Sequence, residues 1–231
     1  MPPFDLNLLL TGKYHDWLVS GFLVSLQLAG TTWLLALPLA VLVALLRLAP
    51  AAPLRALGTL YVESIRNVPL LAHLLFWYFA APEVLPEPVK QWLYKGNIEF
   101  ASALVALTLY TAAYMAEDLR SGIRAIPTVQ FEAGRALGFG FLATMRRVIL
   151  PQALRLTVPP LVSQTLNLWK DTSVATVIGV GEMMYQAAKV ETASFRSAES
   201  FAFATVAYLS VSLAITGLAA WYQHRYPVRT L

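Results

Sequence analysis

Between Asp16 and Arg47 lie thirty consecutive positions without Asp, Glu, Lys or Arg, whereas a helix needs only about 20 apolar residues to cross a hydrocarbon core. A segment this long and this free of charge commits the chain to a bilayer. A second clean run, of 25 positions, separates Glu199 from Arg225. Three further candidates carry polar interruptions or are shorter: Ala56 to Ala81 contains Glu63, Arg66 and His73; Phe100 to Ala116 is uncharged; Leu156 to Val180 contains Lys170 and Asp171. Only 13% of the 231 residues are charged, about half of what a water-soluble domain carries. The expectation is an all-α integral membrane protein, a single domain over 1–231, with spans near 18–46, 56–81, 100–122, 156–180 and 200–224.

Several chemistries drop out on residue counts. The chain has no cysteine and three scattered histidines, His15, His73 and His224, so disulfide scaffolds, thiol nucleophiles and the usual zinc sites are excluded. No metal site and no catalytic constellation is expected. The formal charge of +4 does not point to nucleic acid, because the position of the charges carries the information. Asp5 precedes any basic residue and the first apolar run is too long for a signal-peptide core, so that run should remain as a span.

Five spans place the termini on opposite faces, and the basic residues choose the orientation. One face receives Arg47, Arg55, Arg120, Arg124, Arg135, Arg146, Arg147, Arg155, Arg225 and Arg229; the other receives Lys13, Lys90, Lys95, Lys189 and Arg196. The arginine-rich face is expected to be cytoplasmic, with the N-terminus outside and the C-terminus inside. Glu117, Asp118 and Glu132 then fall inside, and Asp5, Asp16, Glu83, Glu87, Glu99, Glu182, Glu191 and Glu199 outside.

The long cytoplasmic connection is ordered. After Pro127 and Thr128, Val129 to Leu137 reads as a short helix that Gly138 ends in a left-handed conformation. Phe141 to Leu150 reads as a second, stopped by Pro151. This two-helix knob occupies about 125–153. Its residues run Glu132-Ala133-Gly134, three positions, Gly138, nine positions, Val148-Ile149-Leu150-Pro151.

That spacing resembles the cytoplasmic loop of ABC importer permeases, whose pattern is Glu-Ala-Ala, three residues, Gly, nine residues, Ile-x-Leu-Pro. Here Gly134 and Val148 are mild departures. Tyr61 to Leu71, Ala113 to Glu117 and Leu166 to Ser173 narrow the resemblance to the polar amino acid subfamily, and Ser163 to Tyr185 looks most like its glutamate/aspartate members.

The resemblance implies a permease of the bacterial inner membrane working by alternating access. Its implied partners are a dimer of ABC ATPases, a second permease, identical or similar, an external binding protein and the amino acid. ATP and Mg would sit on the ATPase, and this chain would bind no cofactor, consistent with its lack of a G-x-x-x-x-G-K-[ST] loop. Glu132, Ala133, Gly134, Arg135, Gly138 and Pro151 are the expected coupling residues. Ala133 and Gly134 would permit close approach to the ATPase. Glu132 and Arg135 read either as contacts with it or as a self-satisfied pair, and Arg146 and Arg147 as contacts with headgroups or with the ATPase.

Charged and polar groups at membrane depth are functional candidates. Gln164, Asn167 and Asp171 recur at intervals of three and four, so they share one helical face. Asn167 and Gln164, with Asn67, are amide partners suited to an amino acid, and Arg66 or Lys170 would supply positive charge. Alternatives remain open: Glu63 pairing with Arg66, and Lys170 and Asp171 serving packing or gating. His73 reads as a packed or hydrogen-bonded residue, and Pro159 and Pro160 as shaping the start of span four. The preferred solute is glutamate or aspartate, with glutamine, histidine or arginine as alternatives, and an ion-coupled transporter or channel as the reading from another class.

Overall fold

The computed structural model describes residues 6–226; Asp5 and Arg229, placed outside and inside by charge, lie outside the described residues. A short α1 (Leu6–Leu10) leads into α2 (Gly12–Leu48), followed by α3 (Ala52–Arg66), α4 (Leu70–Leu75), α5 (Glu87–Lys95) and α6 (Ile98–Arg124). The second half contains α7 (Thr128–Ala136), α8 (Phe141–Thr144), α9 (Leu150–Asp171), α10 (Met183–Ser194) and α11 (Ser197–Arg225). No strand occurs among the described residues. Among the described residues three helices, α2, α6 and α11, are long and apolar enough to cross a membrane unaided. At 1.5 Å per residue α2 is about 55 Å long, well beyond the hydrocarbon thickness.

The bundle is held by small residues. Along α2, Gly21, Ser25, Thr32, Ala36, Ala40 and Ala44 are buried, and along α6 so are Ser102, Ala103, Ala106, Ala112, Ala113 and Ala116. Lipid tails are as apolar as leucine, so helices in a bilayer associate by close backbone approach, which small side chains allow. Leu18, Leu28, Leu107 and Met115 are buried beside them, while Leu34, Leu45, Leu209, Leu213 and Leu218 are exposed. A charged cluster closes the end of the α2–α6 seam, where Glu117 accepts from Arg47 and from Arg120. Glu117 and Asp118 are part of α6, which continues to Arg124. Burial against α2 and α9 keeps that helix going past its last apolar turn.

The region expected as the second span is two helices. Pro69 has no N–H to give Ile65 four residues back, and the chain breaks at Asn67–Pro69 before α4 begins. The Ile65 carbonyl is instead bonded to Nε2 of His73 at 3.1 Å. Beyond α4 the helical path continues as a π turn (Phe76–Ala80) and a 3-10 turn (Ala81–Val84).

Pro151 does not stop the second short helix. α8 passes through a π turn (Met145–Ile149) directly into α9. A π turn widens the ladder just ahead of the ring, which accommodates the missing donor, and the Gln152 side chain donates to the Val148 carbonyl at 2.7 Å. Pro159 and Pro160 consequently lie inside α9 rather than at its start. Past α9, a 3-10 turn (Thr172–Ile178) ends at Gly179, whose φ is 86°.

At the other end of the bundle Glu182 begins α10. Its side chain is 0% exposed and accepts from the N–H groups of Met184 (3.0 Å) and Tyr185 (2.8 Å), from Tyr208 Oη (2.8 Å) and from Ser25 Oγ (3.3 Å). One carboxylate thus caps α10 and ties it to α2 and α11.

Candidate functional site

Two features stand out against the apolar bundle: a polar cleft between two long helices and the two-helix knob. The cleft lies where α6 and α9 face each other. Close approach of these helices is set by Gly122, where a Cβ would meet Thr157 Cγ2 at 2.1 Å. From α6 come Tyr110, Thr111 and Tyr114; from α9 come Gln164, Asn167, Leu168 and Asp171. They enclose about 280 Å³, close to the lower size of small-molecule pockets, about 300 Å³.

The cleft wall is braced by the break in the second span. The Arg66 guanidinium lies 4.8 Å above the Tyr114 ring, and the His73 ring meets Tyr110 edge-on at 5.9 Å. The hydroxyls of Tyr110 and Tyr114 are 3.3 Å apart. Behind the cleft, Gln164 Nε2 donates to Asp118 Oδ2 at 3.0 Å.

Of the six residues expected in a pathway, Gln164, Asn167 and Asp171 share the cleft, and Arg66 borders it through Tyr114. Asn67 does not reach it; its Nδ2 donates to Glu63 at 3.2 Å. Lys170 is exposed on a neighbouring face of α9 and does not line the cleft. The pairing of Glu63 with Arg66 is absent among the described residues, since Glu63 turns to Asn67 and Arg66 to Tyr114. Sequence reasoning missed Tyr110, Tyr114 and Asp118, although positions 110, 114 and 118 are spaced by four and so lie on one face of α6.

In the knob, α7 ends as a Schellman motif: Phe139 N–H donates to the Gly134 carbonyl (3.0 Å) and Gly138 N–H to that of Arg135 (2.9 Å). Gly138 has a φ of 78°, a conformation glycine adopts without steric cost. Glu132, Ala133, Arg135 and Gly138 are exposed, as is Pro151. Glu132 and Arg135 form no ion pair among the described residues, so both charges face outward. Gly134 faces inward instead. A Cβ there would lie 2.6 Å from Thr144 Cγ2, so its smallness serves the packing of α7 on α8, not approach by an outside partner. Phe131, Arg135, Phe139, Gly140, Phe141 and Thr144 line a hollow of about 330 Å³, and the Arg147 guanidinium stands 5.5 Å from the Phe139 ring. Arg146 and Arg147 are both exposed. No cluster of His, Asp and Glu suited to a metal ion occurs among the described residues.

Comparison with known proteins adds the family. Residues 36–227 match the model of the binding-protein-dependent transport system inner membrane component. The chain is 37% identical over 204 residues to the glutamate/aspartate import permease protein GltJ of Escherichia coli K12, covering 86% of this chain and 82% of the relative. It is 35% identical over 212 residues to the probable glutamine ABC transporter permease protein GlnM of Bacillus subtilis 168, covering 92% and 90%. In structure it resembles a chain of an amino acid ABC transporter crystallised with histidines, with a TM-score of 0.83, 27% identity and coverage of 97% and 100%.

Proposed function

Because the chain belongs to the binding-protein-dependent transport system inner membrane components, we propose that the cleft between α6 and α9 is its part of the path for a polar amino acid, glutamate or aspartate first. The chain is the permease subunit of a polar amino acid ABC importer, a membrane component and not itself an enzyme. One observation carries the pathway reading. Tyr110, Tyr114, Gln164, Asn167 and Asp171, from two facing helices, line one cavity of about 280 Å³. Polar groups at membrane depth are expensive unless they face a partner or a wet passage.

An amino acid needs an acceptor for its ammonium and a donor for its carboxylates. Asp171 and Asn167 supply the first, and Arg66, above the Tyr114 ring, borders the cleft with the second. Asn67 and Lys170 would join only from a neighbouring permease or in another conformation of the cycle. Glutamine is the second solute, favoured by the similarity to GlnM.

The knob is the transmission element. Its outward Glu132 and Arg135, spaced three apart on one face, with Ala133 between them, would seat in an ATPase subunit, and ATP would be bound and hydrolysed there. Gly138 and the continuous α8-to-α9 helical path would carry movement of the knob into the cleft wall, since α9 bears Gln164, Asn167 and Asp171. The remaining partners are a second permease, identical or similar, and an external binding protein. The whole chain works as one transmembrane domain, with the N-terminus outside and the knob and C-terminus cytoplasmic.

The test is reconstitution in liposomes with the cognate ATPase and binding protein, following labelled glutamate, glutamine and arginine. ATP-dependent uptake that falls in Asp171→Asn and is strongest for glutamate supports the proposal. Uptake by this chain alone, driven by an ion gradient, sinks it in favour of an ion-coupled transporter.

A further inference from the structure

We propose that Asp118 is a positioning residue that determines what the cleft recognises: by taking a hydrogen from Gln164 Nε2 it turns the Gln164 carbonyl oxygen toward the cleft, which then holds the ammonium end of the solute. The inference rests on the pathway reading above and deepens it.

An ionised carboxylate only accepts hydrogen bonds, whereas an amide has donors on nitrogen and acceptors on oxygen. With Asp118 Oδ2 3.0 Å from the Gln164 amide, the nitrogen must face Asp118, because the reversed amide would set two acceptors against each other. The bond is charge-assisted and therefore stronger than one between neutral groups. Gln164 Oε1 takes no hydrogen bond from any described residue and belongs to a side chain lining the cleft. Asn167 and Asp171 continue along the same face of α9, and no cation is among the lining residues. The charged neighbours of Asp118 are Arg66 and Glu117, and Glu117 is already engaged by Arg47 and Arg120. Arg66 is turned to the Tyr114 ring and forms no salt bridge with Asp118 among the described residues, which leaves Asp118 to orient Gln164. The cleft therefore presents Gln164 Oε1 and the Asp171 carboxylate, a set of acceptors matched to an ammonium group.

The experiment compares glutamate with 2-oxoglutarate, which replaces the ammonium-bearing carbon by a ketone. Binding of each is measured on the permease–ATPase complex in nanodiscs without binding protein, for wild type, Asp118→Asn, Gln164→Glu and the double variant, with assembly followed by size exclusion. Wild type should prefer glutamate. Asp118→Asn lets the amide turn either way, so the preference should fall about tenfold, the order of one hydrogen bond to a charged group. Gln164→Glu sets two carboxylates face to face and should weaken glutamate binding at least as much. In the double variant the amide introduced at position 118 donates to the carboxylate introduced at position 164. The other oxygen of that carboxylate faces the cleft, and the preference should return.

Equal losses for both solutes, with the ratio unchanged in every variant, overturn the inference and leave Asp118 a structural residue. If a single variant fails to assemble, the double variant decides: a preference at or above wild type supports the inference, and a ratio near one overturns it. No glutamate binding to wild type, together with uptake indifferent to Asp171→Asn, overturns the pathway reading and this inference with it.

Discussion

The two-helix knob and helix α10 at the other end of the bundle are built alike and use their charges in opposite ways. Each short helix follows or ends at a left-handed glycine, Gly138 at φ 78° and Gly179 at φ 86°, and each has a glutamate at a defining position. Glu132 stands exposed on α7 with no ion-pair partner among the described residues. Glu182 is 0% exposed and takes four hydrogen bonds from α2, α10 and α11. A charge turned inward locks an element to the wall, and a charge held outward leaves it available to another protein. The inward glutamate holds α10 to the bundle, and under the proposed function the outward one is what an ATPase subunit would grip.

The hardest blow to this contrast should come from Glu182→Ala. Four donors lose their acceptor, and about 3 kcal/mol of stability should disappear in thermal unfolding, with Glu182→Gln losing less. If Glu182→Ala unfolds like wild type, the inward lock does not exist. The same carboxyl gives a pH signature. Burial pushes its pKa above the ordinary 4.5, with its hydrogen bonds opposing. A carboxyl that holds its proton more tightly when folded adds stability at low pH, which is lost as pH rises from about 4.5 through the raised value. Wild type should show that decline relative to Glu182→Gln, and parallel curves would count against it.

Next in size is Gly134→Leu, whose side chain has no room beside Thr144. Overpacking should cost about 1 to 3 kcal/mol and uncouple ATP hydrolysis from uptake, whereas normal coupling would show that α7 and α8 need not stay packed. Gly138→Asp meets open space but an unfavourable φ, a cost of about 1 kcal/mol. It should insert normally and transport poorly; full solute-stimulated ATPase activity would separate the turn from coupling. Glu132→Ala should leave stability within about 0.5 kcal/mol while lowering ATP-driven uptake, and unchanged uptake would remove the outward charge from the coupling surface. The smallest effect belongs to Phe195, 87% exposed and left-handed at φ 55° at the end of α10. Relief of that backbone in Phe195→Gly should add about 0.5 kcal/mol, readable as a small rise in melting temperature.

How much of this was legible beforehand follows from the range of the interactions. The knob could be read because its signals are local: a proline start, a glycine at the left-handed turn and a fixed spacing between them. Gln164, Asn167 and Asp171 could be grouped because helical periodicity alone puts them on one face. Asp118 could not be matched to Gln164, 46 residues away, nor Glu182 to Ser25, 157 residues away. In sequence both acids look like loop charges.

By itself the chain's pattern of charge determined the class of protein, since no folded arrangement in water conceals thirty uncharged positions followed by several more apolar runs. Its proline and glycine placement determined where α7 begins and where it turns. Only the tertiary structure decided that Pro151 is passed through, that Gly134 packs inward and that Asn67 and Lys170 stay out of the cleft. It also brought Tyr110 and Tyr114 into that cleft. The physical reason is that a helix dictates which residues share a face, but only its neighbours dictate what that face meets.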